Sequence, residues 1–340
     1  MLNRRTLIAA LAACALTAPG AIDSAAAQDG GSYILATATT GGTYYPVGVA
    51  LATLTKVKLE PKQKIGMSAI SSAGSGENVR LMREGEAQFS LLQGLFGYYA
   101  ARGVGPVAAD GPQKNIMMVA NIWPNVEHMA IRADKATTGT IDDMVALKGS
   151  SMALGAPNSG AIGSAGAILG GLGLDITRDV TLVGGGYGPA AEALQNGQVV
   201  GISTPGGVPV GAITQLLASA GDDVRLLSYT PEQIERANGE LGLWTAYPIP
   251  AGTYPGQTYD VTTIAQPNLL AVNADVPEEH VYQITKTIFE NLAFLRAIHP
   301  ATNLLTLETA LNGLPAPLHP GALRYYREAG LEIPERLIAQ

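Results

Sequence analysis

Short apolar runs alternate with amphipathic stretches from residue 32 onward, a pattern that predicts a chain of strand and helix units. SYILATAT reads as a strand, followed by a helix over 47–58 that aligns Val47, Leu51 and Leu54 on one face. KIGMSAIS reads as the next strand, with a helix over 75–84 ending at Gly85 and a third strand, FSLLQ, closing on Gln93. Strands separated by crossover helices predict a parallel sheet. A break is expected at Trp123, Pro124 and Asn125. Beyond it MAIRA, a short helix around 142–147, SMALG, TLVGG, VVGIST and VRLLSY predict a second α/β unit. Prolines and glycines between 248 and 256 mark a return crossing, after which VTTIAQPNLLAV supplies a strand for the first sheet. An amphipathic helix over 277–298, with Val281, Ile284, Ile288, Leu292 and Leu295 on one face, should pack back on that unit. The organisation expected is one lobe from 28–126 plus 250–340 and a second from 127–249.

The polar positions concentrate where strands give way to helices. TATTGGTYYPVG places Thr39, Thr40, Gly41, Gly42 and Thr43 at the first such junction. Ser72, Ser75 and Asn78 mark a second, with Ser75 read as a helix N-cap, and Asn158, Ser159 and Gly160 a third. Gly185, Gly186, Tyr187 and Gly188 make a fourth. The first N–H groups of a helix have no partner inside it and carry the positive end of its dipole, so such a junction suits a carboxylate. Glycine lets a ligand approach the backbone. Each junction taken singly reads first as a turn with a cap; four in one α/β chain suggest one site, at the carboxyl ends of the strands. Tyr44 and Gln93 join the candidates, Tyr44 beside the glycine pair and Gln93 at a strand end. Arg132, close to the expected crossing, could pair a ligand carboxylate but is read first as one member of an interlobe or structural ion pair.

Composition narrows the class. Residues 1–27 hold Arg4 and Arg5, an apolar run and AAA at 25–27, the pattern of a signal peptide. LAAC at 11–14 leaves open a lipoprotein anchored through Cys14, the one cysteine of the chain. No later stretch has the apolar length of a membrane span. A net charge of −7 without a basic run argues against nucleic acid as a partner. No hydrolase elbow, phosphate loop or dinucleotide fingerprint occurs, and His128, His280, His299 and His319 lack metal-ligand spacing. No catalytic residue, cofactor or metal is expected.

TGGTYYPVG, SSAGSGENVRLMREGEAQFSLLQ, LKGSSMALGAPNSG, IPAGTYPGQ and LHPGALRYYREAGL follow one another along the chain. In order and spacing the sequence resembles the TAXI-type solute receptors of tripartite ATP-independent periplasmic (TRAP) transporters. The resemblance implies a periplasmic-binding-protein-like (type II) fold, two α/β lobes with a hinge and a cleft between them. It also implies a periplasmic receptor that closes on a glutamate-like amino acid or dicarboxylate and delivers it to a TRAP permease. The family pattern has an acidic residue near Leu95 and a DA pair near Val200 and Gly201, both missing here, so the ligand's identity is not carried over. A sensor module feeding a membrane kinase and a secreted enzyme on the same fold are the alternatives.

Overall fold

The computed structural model describes residues 30–339, so the expected targeting segment and Cys14 lie outside the described residues. β1 (Gly31–Ala36), β2 (Ile65–Ile70) and β3 (Phe89–Gln93) are parallel and linked by α1 (Tyr44–Gln63) and α2 (Ser75–Arg83). α1 begins three residues earlier than the apolar face implied, because Tyr44 is itself buried and belongs to that face. The N-cap of α2 is Gly74, not Ser75: its φ of 120° lies in the left-handed region that a side chain would strain. After α3 (Gly94–Arg102) comes β4 (Ile116–Val126). The break expected at Trp123 to Asn125 does not occur, since Pro124 sits within β4, opposite Pro267 of a later strand.

The chain then enters a second sheet. β5 (Met129–Arg132), α4 (Ile141–Val145), β6 (Ser151–Ala153), α5 (Gly160–Leu172), β7 (Thr181–Leu182) and α6 (Tyr187–Gln195) come first. β8 (Gly201–Ser203), α7 (Gly211–Ala220), β9 (Val224–Leu226) and α8 (Pro231–Asn238) complete it. The strand order is β7-β6-β8-β5-β9, with β5 antiparallel to both neighbours.

Return takes place through β10 (Thr245–Ile249) and β11 (Val261–Asn273). Residues 245–249, expected in the second lobe, hydrogen-bond to β11 in the first sheet, while Ile249 packs in the second core. β11 pairs along one edge with β10 and then β3, and along the other with β4. Its Asn268 to Val272 segment therefore completes the first sheet beside β3, while Val261, Ile264 and Ala265 are buried in the second unit's cores. The two units are thus joined at residues 127–128 and by β10 and β11. The helix expected over 277–298 is two, α9 (Glu278–Glu290) and α10 (Leu292–Ile298), because Asn291 leaves helical geometry at φ −127° and its side chain bonds back to the Thr287 carbonyl. α9 and α11 (Pro320–Glu328) bury Val281, Ile284 and Tyr326 in the core of the first sheet. No helix among the described residues is long and apolar enough to cross a membrane.

Candidate functional site

The helix starts of both units face one another across a cavity with about 460 Å³ of atom-free space, part of it open to solvent. Thr43 and Tyr44 border it from the start of α1, Gly74 and Ser75 from α2, Ser159 and Gly160 from α5, and Gly186 and Tyr187 from α6. Thr39, Gly42 and Gln93 also line it, and none of the lining residues carries a carboxyl group, a lysine, an arginine or a histidine. Any charge held here is therefore balanced by backbone N–H groups, helix dipoles and neutral side chains.

Several wall residues are fixed by bonds that leave other atoms to the cavity. Ser75 Oγ accepts from the Gln93 amide at 3.0 Å, and Ser159 Oγ accepts from the Ile162 amide at 3.2 Å. Tyr187 donates its hydroxyl to the Pro205 carbonyl at 2.7 Å, and the buried Tyr44 hydroxyl donates to Asn268 Oδ1. Burial raises the pKa of both phenols, so they remain neutral donors. Two lining amides are different: Gln93 Oε1 and Asn125 Nδ2 are buried without a hydrogen-bond partner among the described residues. An unpaired buried polar atom costs about 1–3 kcal/mol, a penalty that a polar ligand group would relieve. Gln93 is 3% exposed and Asn125 1%, so bulk water does not satisfy them.

Not every expected residue reaches the cavity. Thr40, Gly41, Ser72, Asn78 and Asn158 do not line it. Ser72 Oγ and Asn78 Oδ1 lie 2.6 Å apart, and Asn78 Nδ2 donates at 2.8 Å to the carbonyls of Thr37 and of Leu91, so both tie strand ends together. Asn158 takes a left-handed φ of 60°, and its carbonyl accepts from the Glu77 amide of the other unit at 2.9 Å. Gly41 and Gly42 approach protein rather than open space: a Cβ at Gly42 would lie 3.1 Å from the Tyr187 ring and one at Gly41 3.1 Å from the Gly188 nitrogen. With the Gly41 carbonyl accepting from the Ala212 amide at 3.2 Å and Thr43 Oγ1 donating to the Gly207 carbonyl at 3.0 Å, the two units are closed on one another. Arg132 lies away from the cavity and pairs with Asp134 at 3.1 Å.

Two lining residues are not among those expected from the sequence: Asn125, which falls at the expected break, and Gly74. The signal for Asn125 was the one that marked Gln93, an amide near the end of an apolar strand. Beyond the cavity, where the chain first crosses between units, lie Glu127 and His128, both buried. Burial pushes the Glu127 carboxyl up to about 7 and the His128 imidazole down to about 4. Tyr254 and the Val126 carbonyl hold the His128 ring at 2.7 and 2.9 Å. Among the described residues no group of three His, Cys, Asp or Glu is placed to hold a metal ion.

Similarity to known proteins follows the architecture. A structure from Bordetella bronchiseptica RB50 matches at a TM-score of 0.51 and 14% identity, over 87% of this chain and 82% of that one. The alkanesulfonate-binding protein SsuA from Xanthomonas axonopodis pv. citri, bound to MOPS, matches at 0.45 and 14%, over 88% and 90%. A binding protein component of an ABC phosphonate transporter from Pseudomonas aeruginosa matches at 0.49 and 9%, over 79% and 78%. At such identities the likeness is one of fold, and the two-sheet α/β architecture is periplasmic-binding-protein-like. A family model described as the NMT1-like family matches residues 35–330, nearly the whole described chain, and the protein belongs to that family.

Proposed function

We propose that the protein is a periplasmic solute receptor that closes on a small organic acid, a glutamate-like amino acid or dicarboxylate, and delivers it to a TRAP permease driven by an ion gradient. One observation carries the reading: four helix N-termini from two units enclose a cavity free of ionised side chains, with buried amide atoms of Gln93 and Asn125 left unpaired. An acid group at each end of the ligand would meet the helix starts of a different unit. The neutral amides would meet its middle. Contact with both units stabilises the closed arrangement by its differential affinity. The proposed contacts are Thr39, Gly42, Thr43, Tyr44, Ser75, Gln93, Asn125, Ser159, Gly160 and Tyr187. The TRAP partner rests on the motif resemblance alone.

Thermal melting with L-glutamate, succinate and related acids tests the ligand class. An acid present at 100 times its dissociation constant should add about 2.7 kcal/mol to stability. If no acid in the panel raises the melting temperature while neutral solutes do, the class is wrong. Uptake of the bound acid into vesicles carrying a TRAP permease, dependent on an ion gradient and not on ATP, tests the partner.

A further inference from the structure

Glu127 occupies the first crossing between the units and is 0% exposed. Its backbone is bonded to the second crossing, the amide donating to the Ile264 carbonyl at 2.9 Å and the carbonyl accepting from Thr263 Oγ1 at 2.7 Å. Its carboxyl reaches into both units. Oε2 accepts from Ser164 of α5 at 3.3 Å, and Oε1 accepts from Gln266 of β11 at 3.4 Å. Gln266 in turn accepts the Leu95 amide at 2.8 Å, in the first turn of α3. Ionised, Glu127 would push the phenols of Tyr44 of α1, Tyr187 of α6 and Tyr229 up. Tyr44 and Tyr187 are walls of the cavity. The remaining facing groups are the Trp244 indole and its chain neighbour His128, whose ring turns to Tyr254. Every group so placed is neutral, and the carboxyl has no ion-pair partner among the described residues.

A buried carboxylate with neutral partners is costly, and protonation relieves the cost. Opening the cleft would withdraw Ser164 and admit water, restoring an ordinary carboxylate. An anion in the cavity acts in the opposite sense, since a second negative charge nearby disfavours ionisation further. We propose that closure of this receptor is coupled to protonation of Glu127, the closed and anion-loaded state holding the neutral acid and the open state its carboxylate. One proton is taken from solvent on closing and returned on opening. The anion part of this inference rests on the proposed function; the closure part does not. Burial sets the pH window. With the closed-state value raised to about 7 from the ordinary 4.5, stability of the closed form is fully present below 4.5 and is lost as pH rises through about 7.

The test uses the mature chain and its E127Q variant, in which a neutral amide replaces the acid. Without ligand, small-angle scattering from pH 5 to 9 should show wild type opening as pH rises, while E127Q stays closed. With L-glutamate or succinate, calorimetry in buffers of different ionisation enthalpy should show uptake of up to one proton, and affinity falling by up to about tenfold per pH unit between about 4.5 and 7. E127Q should show neither. Pure S164A, which keeps the acid but removes a hydrogen bond favouring its ionised form, should move the wild-type transition to higher pH. Dimensions independent of pH in wild type, the same pH response in E127Q, or a lower transition in S164A would each overturn the coupling. Failure of both acids to bind would sink the organic-acid reading, while the ligand-free scattering still decides the role of Glu127.

Discussion

The helix-start turns of the two units share a vocabulary of serine, asparagine and glycine but use it differently. In the first unit the polar side chains are consumed internally: Ser72 and Asn78 bond to one another and to strand carbonyls, and Ser75 holds the Gln93 amide. The second unit presents mainly backbone, with Gly160, Gly185 and Gly186 bordering the cavity and Ser159 spent on capping α5. One wall is therefore braced by side chains, and the other is thinned so that main chain can come close. A hydroxyl at such a turn identifies the neighbourhood of a site, whether it meets a ligand or braces the wall.

Three substitutions probe that contrast, beginning with the greatest expected effect. Gly160→Val should abolish binding of an acid that stabilises the wild type, a loss of at least about 2.7 kcal/mol for a ligand present at 100 times its dissociation constant. Its Cβ would stand 2.6 Å from Gln93 Oε1 and 2.8 Å from Ser75 Oγ, so the units could not close. Scattering should find the variant open with or without ligand; a variant that still compacts would erase the distinction between the walls. Asn78→Ala should lower unfolding stability in urea by about 2–3 kcal/mol, because two buried hydrogen bonds to strand carbonyls go. Calorimetry should find its acid affinity nearly unchanged, and a loss of affinity exceeding the loss of stability would make Asn78 part of the site. Smallest is Ser159→Ala, worth about 1 kcal/mol of stability as a lost cap. An affinity drop of the same size or less would keep Ser159 as a cap, whereas a larger one would show its hydroxyl turning to the ligand.

Much of the architecture was legible in the alternation of apolar and amphipathic runs, because β1 to β3 and their helices depend on local periodicity. Boundaries slipped where tertiary contact intervened. Asn291 interrupts an apolar face that continues on both sides, and Pro124, where a break was expected, lies within a long strand opposite Pro267. β10 was hidden for a related reason, since Pro248 is tolerated in a strand whose outer edge is unpaired among the described residues. At the site, Gln93 and Ser159 were visible from strand ends and capping preference. The proximity of Asn125, Asn268 and Glu127 to the cavity was not, because it arises from the pairing of β4 with β11, about 140 residues apart in the chain.

The pairing of β11 with β3 also bears on assembly. β1, β2 and β3 leave the ribosome first, yet β3 finds its second neighbour only when Asn268 to Val272 arrive. All five strands of the second sheet, β5 to β9, are synthesised in between. The inserted unit has every strand of its sheet before the unit that receives it, and the older half-sheet waits with a bare apolar edge. Such an edge invites pairing with other chains. While residues 94 to 267 are synthesised, the edge of β3 that Asn268 to Val272 cover has no partner from this chain, and slowing translation in that interval should raise aggregation more than slowing it elsewhere.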